Sequence, residues 1–159
     1  MTQIDSKRPP KLYYFSERSA LERTLSLGEF RLTPPILDAA ADNGPPFLTL
    51  SLTTDWTGTL FDHVPNADSY LVIHDAEEFG ERVHRAAQRA LPNWAGIDAA
   101  VSYGVPSPLG KAFSKTKQRA TENEWRFAWR PMQANASLHP VVIRVGSLQD
   151  IAELHTKNH

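Results

Sequence analysis

The chain contains no cysteine. Disulfide staples, thiolate nucleophiles and cysteine-based zinc sites are therefore excluded. No apolar run approaches the ~18 residues of a membrane helix, and Met1 to Pro10 is polar, without the apolar centre of a secretion signal. The expectation is a cytoplasmic protein with no membrane attachment. Net charge is also nearly absent: 17 Lys and Arg stand against 18 Asp and Glu, giving −1. Nothing draws the whole molecule toward nucleic acid or lipid, although Lys111, Lys115, Lys117 and Arg119 form a local basic cluster. His63, His74, His84, His139, His155 and His159 show no metal-ligand spacing, so no metal is expected. G-x-S-x-G, P-loop and G-x-G-x-x-G signatures are all missing, which removes sequence support for triad hydrolases, P-loop NTPases and Rossmann dehydrogenases.

What is present suits one globular domain. The 159 residues are 41% apolar and 22% charged, enough to bury a core unaided. A flexible N-terminus is expected over 1–10, a single α+β domain over 11–155 and a loose tail over 156–159. Lys11 to Phe15 reads as an aromatic strand. Ser19 with Glu22 reads as a capping box for a helix that Gly28 stops. Phe30 and Leu32 suggest a short strand, and the proline-rich stretch 33–46 an irregular loop. Phe47 to Thr54 alternates cleanly and predicts a half-buried strand. A second loop covers 55–68 and a strand covers Ser69 to His74. Asp75 with Glu78 opens a helix to about Ala90, closed by Pro92. Strands follow at 97–103 and 140–145, and Ser147 with Asp150 predicts a terminal helix. Strands interspersed with about three helices, without a doubly wound rhythm, give the class α+β.

The densest chemistry lies in Glu122-Asn123-Glu124-Trp125-Arg126, with Lys115 upstream. On a strand, alternate side chains share a face. Glu122, Glu124 and Arg126 are thus expected to project together, with Trp125, Phe127 and Trp129 turned into the core. Two carboxylates near each other need compensating cations, and Lys115 and Arg126 are available. Such a pair can divide labour, one stabilising an oxocarbenium-like centre while the other orients a nucleophile. The plain alternative is a charged edge strand that discourages aggregation. Thr49, Ser51, Thr53 and Thr54 offer hydroxyls that suit a ribose, or simply fill a wet strand face. Tyr13 and Tyr14 point to opposite faces, one into the core and one free to stack on a planar ring.

The lysine followed by Glu122-x-Glu124-Trp125-Arg126 resembles a widespread family of uncharacterised bacterial domains. So do Leu12-Tyr13-Tyr14-Phe15, Leu27-Gly28-Glu29-Phe30-Arg31-Leu32 and Val101-Ser102-Tyr103. That family looks like a relative of the ADP-ribosyltransferase superfamily. The resemblance implies a split β-sandwich that holds NAD in its cleft, loses nicotinamide and transfers ADP-ribose to a macromolecule, as bacterial toxins and phage-defence effectors do. It implies NAD as substrate, a protein or nucleic-acid acceptor, and a cognate antitoxin or immunity protein as a further partner. It makes Glu124 the principal carboxylate and Glu122 the residue that orients the acceptor. Ser51 or Thr53 would position Glu124 or the ribose, Tyr14 would lie near the nicotinamide, and Lys115 and Arg126 would contact phosphate. The stretch Gly104 to Arg119 would set acceptor specificity. The first strand carries neither the arginine nor the histidine that the two branches of the superfamily place there. That departure keeps open a catalytically silent binding or interaction domain. The basic residues around Lys115 keep open phosphate transfer from RNA ends to NAD.

Overall fold

The computed structural model describes residues 7–34, 47–56, 64, 66–132 and 139–156. Most of both expected long loops, the start of the N-terminus and the last three residues lie outside these. The fold is mixed α+β. Six strands form one antiparallel sheet: β1 (Leu12–Ser16), β3 (Leu48–Thr53), β4 (Ser69–Ile73), β5 (Trp94–Ala100), β8 (Glu124–Pro131) and β10 (Ala152–Thr156). Their spatial order is β10-β4-β1-β3-β8-β5. β2 (Glu29–Leu32) pairs with β9 (Val141–Arg144) in an antiparallel ribbon, and β6 (Ser102–Tyr103) pairs with β7 (Ser114–Lys115) in a short parallel one. Among the described residues three helices exceed a single turn: α1 (Arg18–Leu27), α2 (Ala76–Ala90) and a 3-10 helix over Lys117–Glu122.

Alternation decides the faces. Leu48, Leu50 and Leu52 of β3 and Trp125, Phe127 and Trp129 of β8 are all buried, and the registers Leu48↔Trp129, Leu50↔Phe127 and Leu52↔Trp125 set them side by side. Against this apolar face pack α2, through Phe79, Val83, Ala86 and Ala87, and the β2–β9 ribbon, through Phe30, Leu32 and Ile143. Phe79 is fully enclosed, with edge-to-face contacts to Phe30 and Phe127. Its truncation to Ala would cost about 3–5 kcal/mol. The other sheet face carries Thr49, Ser51, Thr53, Glu124 and Arg126 and is the face on which chemistry can occur.

The helix ends show which signals held. Asp75 caps α2, its Oδ1 accepting the Glu78 amide at 3.0 Å. Gly28 ends α1 at φ 65°, where a side chain would strike the Gly146 backbone. The Ser19 box is not formed. The cap position lies two residues earlier, at Glu17, and the Arg18 amide donates to Asp68 Oδ1 at 2.8 Å, a cap supplied from fifty residues away. The expected terminal helix is also absent: 149–151 form a turn, and the chain continues as β10, paired with β4 from Ala152↔Ile73 to Thr156↔Ser69. β4 leaves an unpaired ladder there, and satisfying it outweighs the local capping preference. Arg8, expected in a loose leader, is tied to Asp98 and Glu77.

Candidate functional site

β8 lies between β3 and β5, inside the sheet. It needs no charges against edge-to-edge association, so the protective-edge reading of its carboxylates fails. On the open face Glu124 stands opposite Thr53, and Arg126 opposite Ser51. Glu122 reaches the site differently from the strand alternation expected of it. It closes the 3-10 helix, and Asn123, at φ 45°, turns the chain before β8 begins. Asparagine tolerates this left-handed conformation better than most residues. Thr53 and Thr54 hold the turn: Thr53 Oγ1 donates to the Glu122 carbonyl at 2.9 Å, and the Thr54 amide donates to the Asn123 carbonyl at 2.9 Å.

Lys115 enters from the β6–β7 ribbon and bridges the two carboxylates, its Nζ 2.8 Å from Glu122 Oε1 and 2.5 Å from Glu124 Oε1. Arg126 takes the other Glu124 oxygen, Nη2 to Oε2 at 2.9 Å. Its remaining nitrogens are also committed: Nε donates to Ser51 Oγ at 3.0 Å and Nη1 to the Ala112 carbonyl at 3.0 Å. Two acids and two bases cancel in charge, so carboxylates can sit together where few waters reach them. Burial works to raise the Glu124 pKa, but the charge of Arg126 and the bond and charge of Lys115 outweigh it. The carboxyl titrates below its ordinary range. Tyr103 completes the frame, its hydroxyl accepting the Glu124 amide at 2.9 Å. Burial, reinforced by the nearby carboxylates, pushes the Tyr103 pKa up to about 12.

Beside this cluster a cleft of about 350 Å³ is lined by Tyr13, Ser51, Thr53, Val64, Glu122 and Glu124, among others. That is the small end of the ~300–1,000 Å³ typical of ligand pockets. Ser51, Glu122 and Glu124, singled out in the sequence, converge on it. Thr53 borders it too, but its hydroxyl is spent on main-chain carbonyls. Tyr13 and Tyr14 both border the cleft, with their rings on opposite sides of the sheet. Tyr13 pairs across the sheet with Thr53 and so shares the Glu124 face, while Tyr14 turns its ring to Phe30, centroids 5.4 Å apart, on the core side. Burial raises the Tyr14 pKa. Lys115 and Arg126 are not free phosphate ligands, since each is engaged in holding Glu124.

Two features escaped the sequence reading. Tyr103 was read only as part of the Val101-Ser102-Tyr103 resemblance, with no role at the carboxylates. The second is a carboxylate on the opposite face. Asp98 accepts Arg8 Nε at 2.8 Å, Arg8 Nη2 at 3.0 Å and Trp125 Nε1 at 2.8 Å, and its Oδ1 lies 2.8 Å from His84 Nε2. Burial works to raise its pKa, but the bonds from His84, Arg8 and Trp125 hold it well below the carboxylate range. A single acid in the otherwise uncharged run Trp94-Ala95-Gly96-Ile97-Asp98-Ala99-Ala100 was a usable sign, because such a group enters a core only with partners. Among the described residues no cluster of His, Asp and Glu could hold a metal ion, and no helix is long and apolar enough to cross a membrane.

Comparison with models of known families, with curated proteins and with solved structures returns no match.

Proposed function

We propose that the cleft beside Glu124 binds the nicotinamide riboside part of NAD and that the protein transfers ADP-ribose to a macromolecule on the α+β scaffold of that superfamily. The observation that carries this reading is the convergence of Ser51, Glu122, Glu124 and Tyr13 on one cleft. In the reaction the bond between ribose C1′ and the nicotinamide nitrogen breaks, and nicotinamide leaves with the electron pair. Glu124 holds a ribose hydroxyl and stabilises the positive charge left on the sugar. Glu122 orients the acceptor and takes its proton as the acceptor bonds to C1′. Tyr13 is placed to stack on the nicotinamide ring. Lys115 and Arg126 keep Glu124 ionised and fixed in orientation, so no reorganisation is required as charge develops. A toxin or defence role predicts growth arrest on expression, relieved by Glu124→Gln or by a cognate immunity protein.

A second reading, nucleotide binding without turnover, is favoured by one observation: both Glu124 oxygens are already ion-paired. The test is incubation of the purified chain with NAD labelled in its adenosine part, with cell lysate as acceptor source, together with measurement of free nicotinamide. Transfer of label that falls about 10²–10³-fold in Glu124→Gln supports the first reading. NAD binding with no nicotinamide release supports the second. Neither binding nor release removes both.

A further inference from the structure

The two edges of the main sheet are built differently. β10 carries Glu153 between His74 and His155, at 3.3 and 3.4 Å. Such charged rungs keep a sheet edge from recruiting another strand. β5 is seven residues long, and Ala95, Gly96 and Ile97 are exposed. It has no lysine and no proline, and its one charged side chain, Asp98, is turned into the core.

Among the described residues, nothing pairs with the outer side of β5, and the phase of its outward backbone groups follows from two flanking bonds. The Met132 amide donates to the Asn93 carbonyl and the Val101 amide to the Glu124 carbonyl. Both pairs lie on the same register as Ile97↔Ala128. Antiparallel ladders alternate, so Ala95, Ile97 and Ala99 bond β8, and the N–H and C=O of Gly96 and Asp98 point outward. Gly96 is glycine for a packing reason, since a Cβ there would strike the Trp129 ring.

Next to this edge, on the open face, lies an apolar pocket of about 280 Å³ walled by Phe47, Ile97, Leu109 and Phe113, with Arg130 at its margin. Arg130 is exposed and, among the described residues, has no ion-pair partner, unlike Arg126 four positions earlier. We propose that β5 is a strand-addition site for an extended segment of a partner protein that carries a bulky apolar residue and an acidic residue on one face. The backbone of Gly96 and Asp98 supplies the ladder, the pocket takes the apolar side chain, and Arg130 takes the carboxylate. A second copy of β5 fits less well. It would present Ala95, Ile97 and Ala99 to this face, with no acid for Arg130.

The test uses the full chain and a displayed library of short random peptides. Enriched sequences should alternate, with an apolar and an acidic residue two positions apart. A selected peptide should slow hydrogen exchange of the Gly96 and Asp98 amides, which exchange freely in the dilute protein. Its affinity should fall about tenfold in Arg130→Glu and be lost in Ile97→Lys. Selection against Arg130→Glu should return basic residues in place of acidic ones. Both substituted positions are exposed, so the fold should persist, and unchanged β8 amide protection checks this. The idea is overturned if no peptide is enriched, if both variants bind selected peptides as before, or if the two amides are protected without peptide. Protection that grows with protein concentration alone, with a dimer in sedimentation, would assign the edge to a second copy instead.

Discussion

Two carboxylates sit on opposite faces of the sheet, on the neighbouring strands β5 and β8, and they are satisfied in different ways. Asp98 receives donors from the leader (Arg8), from α2 (His84) and from β8 (Trp125), and its side chain is about 7% exposed. Glu124 is held by Lys115 and Arg126 but opens on a cleft that also exposes Ser51 and Glu122. The first arrangement joins three segments distant in sequence and leaves no lone pair for a ligand. In the second, Lys115 and Arg126 each take one Glu124 oxygen, so the carboxylate keeps lone-pair capacity for a ligand hydroxyl. A buried acid with donors from several elements is a structural rivet, while one with a cavity at its side is a candidate for chemistry.

The largest expected effect is at the rivet. Asp98→Ala leaves a guanidinium, an imidazole and an indole N–H without their acceptor, and should cost about 3–5 kcal/mol by denaturant titration. Its pH dependence has a defined sign. The folded pKa of Asp98 lies below its unfolded value, so the stabilisation is complete above the ordinary aspartate value of ~3.9 and fades as pH falls below it. Removing Asp98 should therefore flatten the acid limb of the stability curve. If Asp98→Ala is no less stable than the parent, the contrast between the two faces is void.

Next in size is Arg126→Met. It frees Ser51 and the Ala112 carbonyl and leaves Glu124 with Lys115 alone. A loss of about 2–3 kcal/mol is expected, with acid unfolding moved to higher pH because the main charge depressing the Glu124 pKa is gone. Lys115→Met should cost about 2 kcal/mol and sharpen the comparison more. It exposes Glu122 and Glu124 to each other without their shared cation. If the cleft takes NAD as proposed, the pH below which that binding fails, read by calorimetry, should then move upward. If neither binding nor its pH profile changes, the Lys115 bridge has no role in ligand exchange.

How much of this was legible in the sequence depends on the range of the interaction that decides each element. The α2 cap at Asp75 and Glu78, the Gly28 stop and the Leu48-Leu50-Leu52 alternation are settled within a few residues and could be read directly. β10 could not, because its conformation is imposed by the open ladder of β4, more than seventy residues earlier. The cap on Arg18 comes from Asp68 for the same reason. At the site, Glu124, Arg126 and Ser51 were legible because a strand period puts them on one face. Glu122 was assigned to the right place through the wrong geometry, since Asn123 breaks the strand. Tyr13 and Tyr14 could not be assigned to faces, because alternation tells that they differ, while only the register with β3 tells which ring shares the Glu124 side. Asp98 went unread because its donors lie 14, 27 and 90 positions away.

The smallest and most local test is Tyr103→Phe. The hydroxyl accepts the Glu124 amide at the first residue of β8, and losing it leaves that N–H short of a partner, at about 1 kcal/mol. The titration has the opposite sign to that of the acids. Tyr103 has a folded pKa raised to about 12, against ~10 in an unfolded chain. The stability it contributes is present below ~10 and is lost as pH rises toward 12. Ultraviolet titration should show two tyrosines, Tyr14 and Tyr103, ionising late, and one of these two steps should vanish in Tyr103→Phe while the Asp98 acid limb stays unchanged. Loss of the acid limb as well would mean that the two faces are coupled through β8, so that Trp125 links the rivet to the cleft.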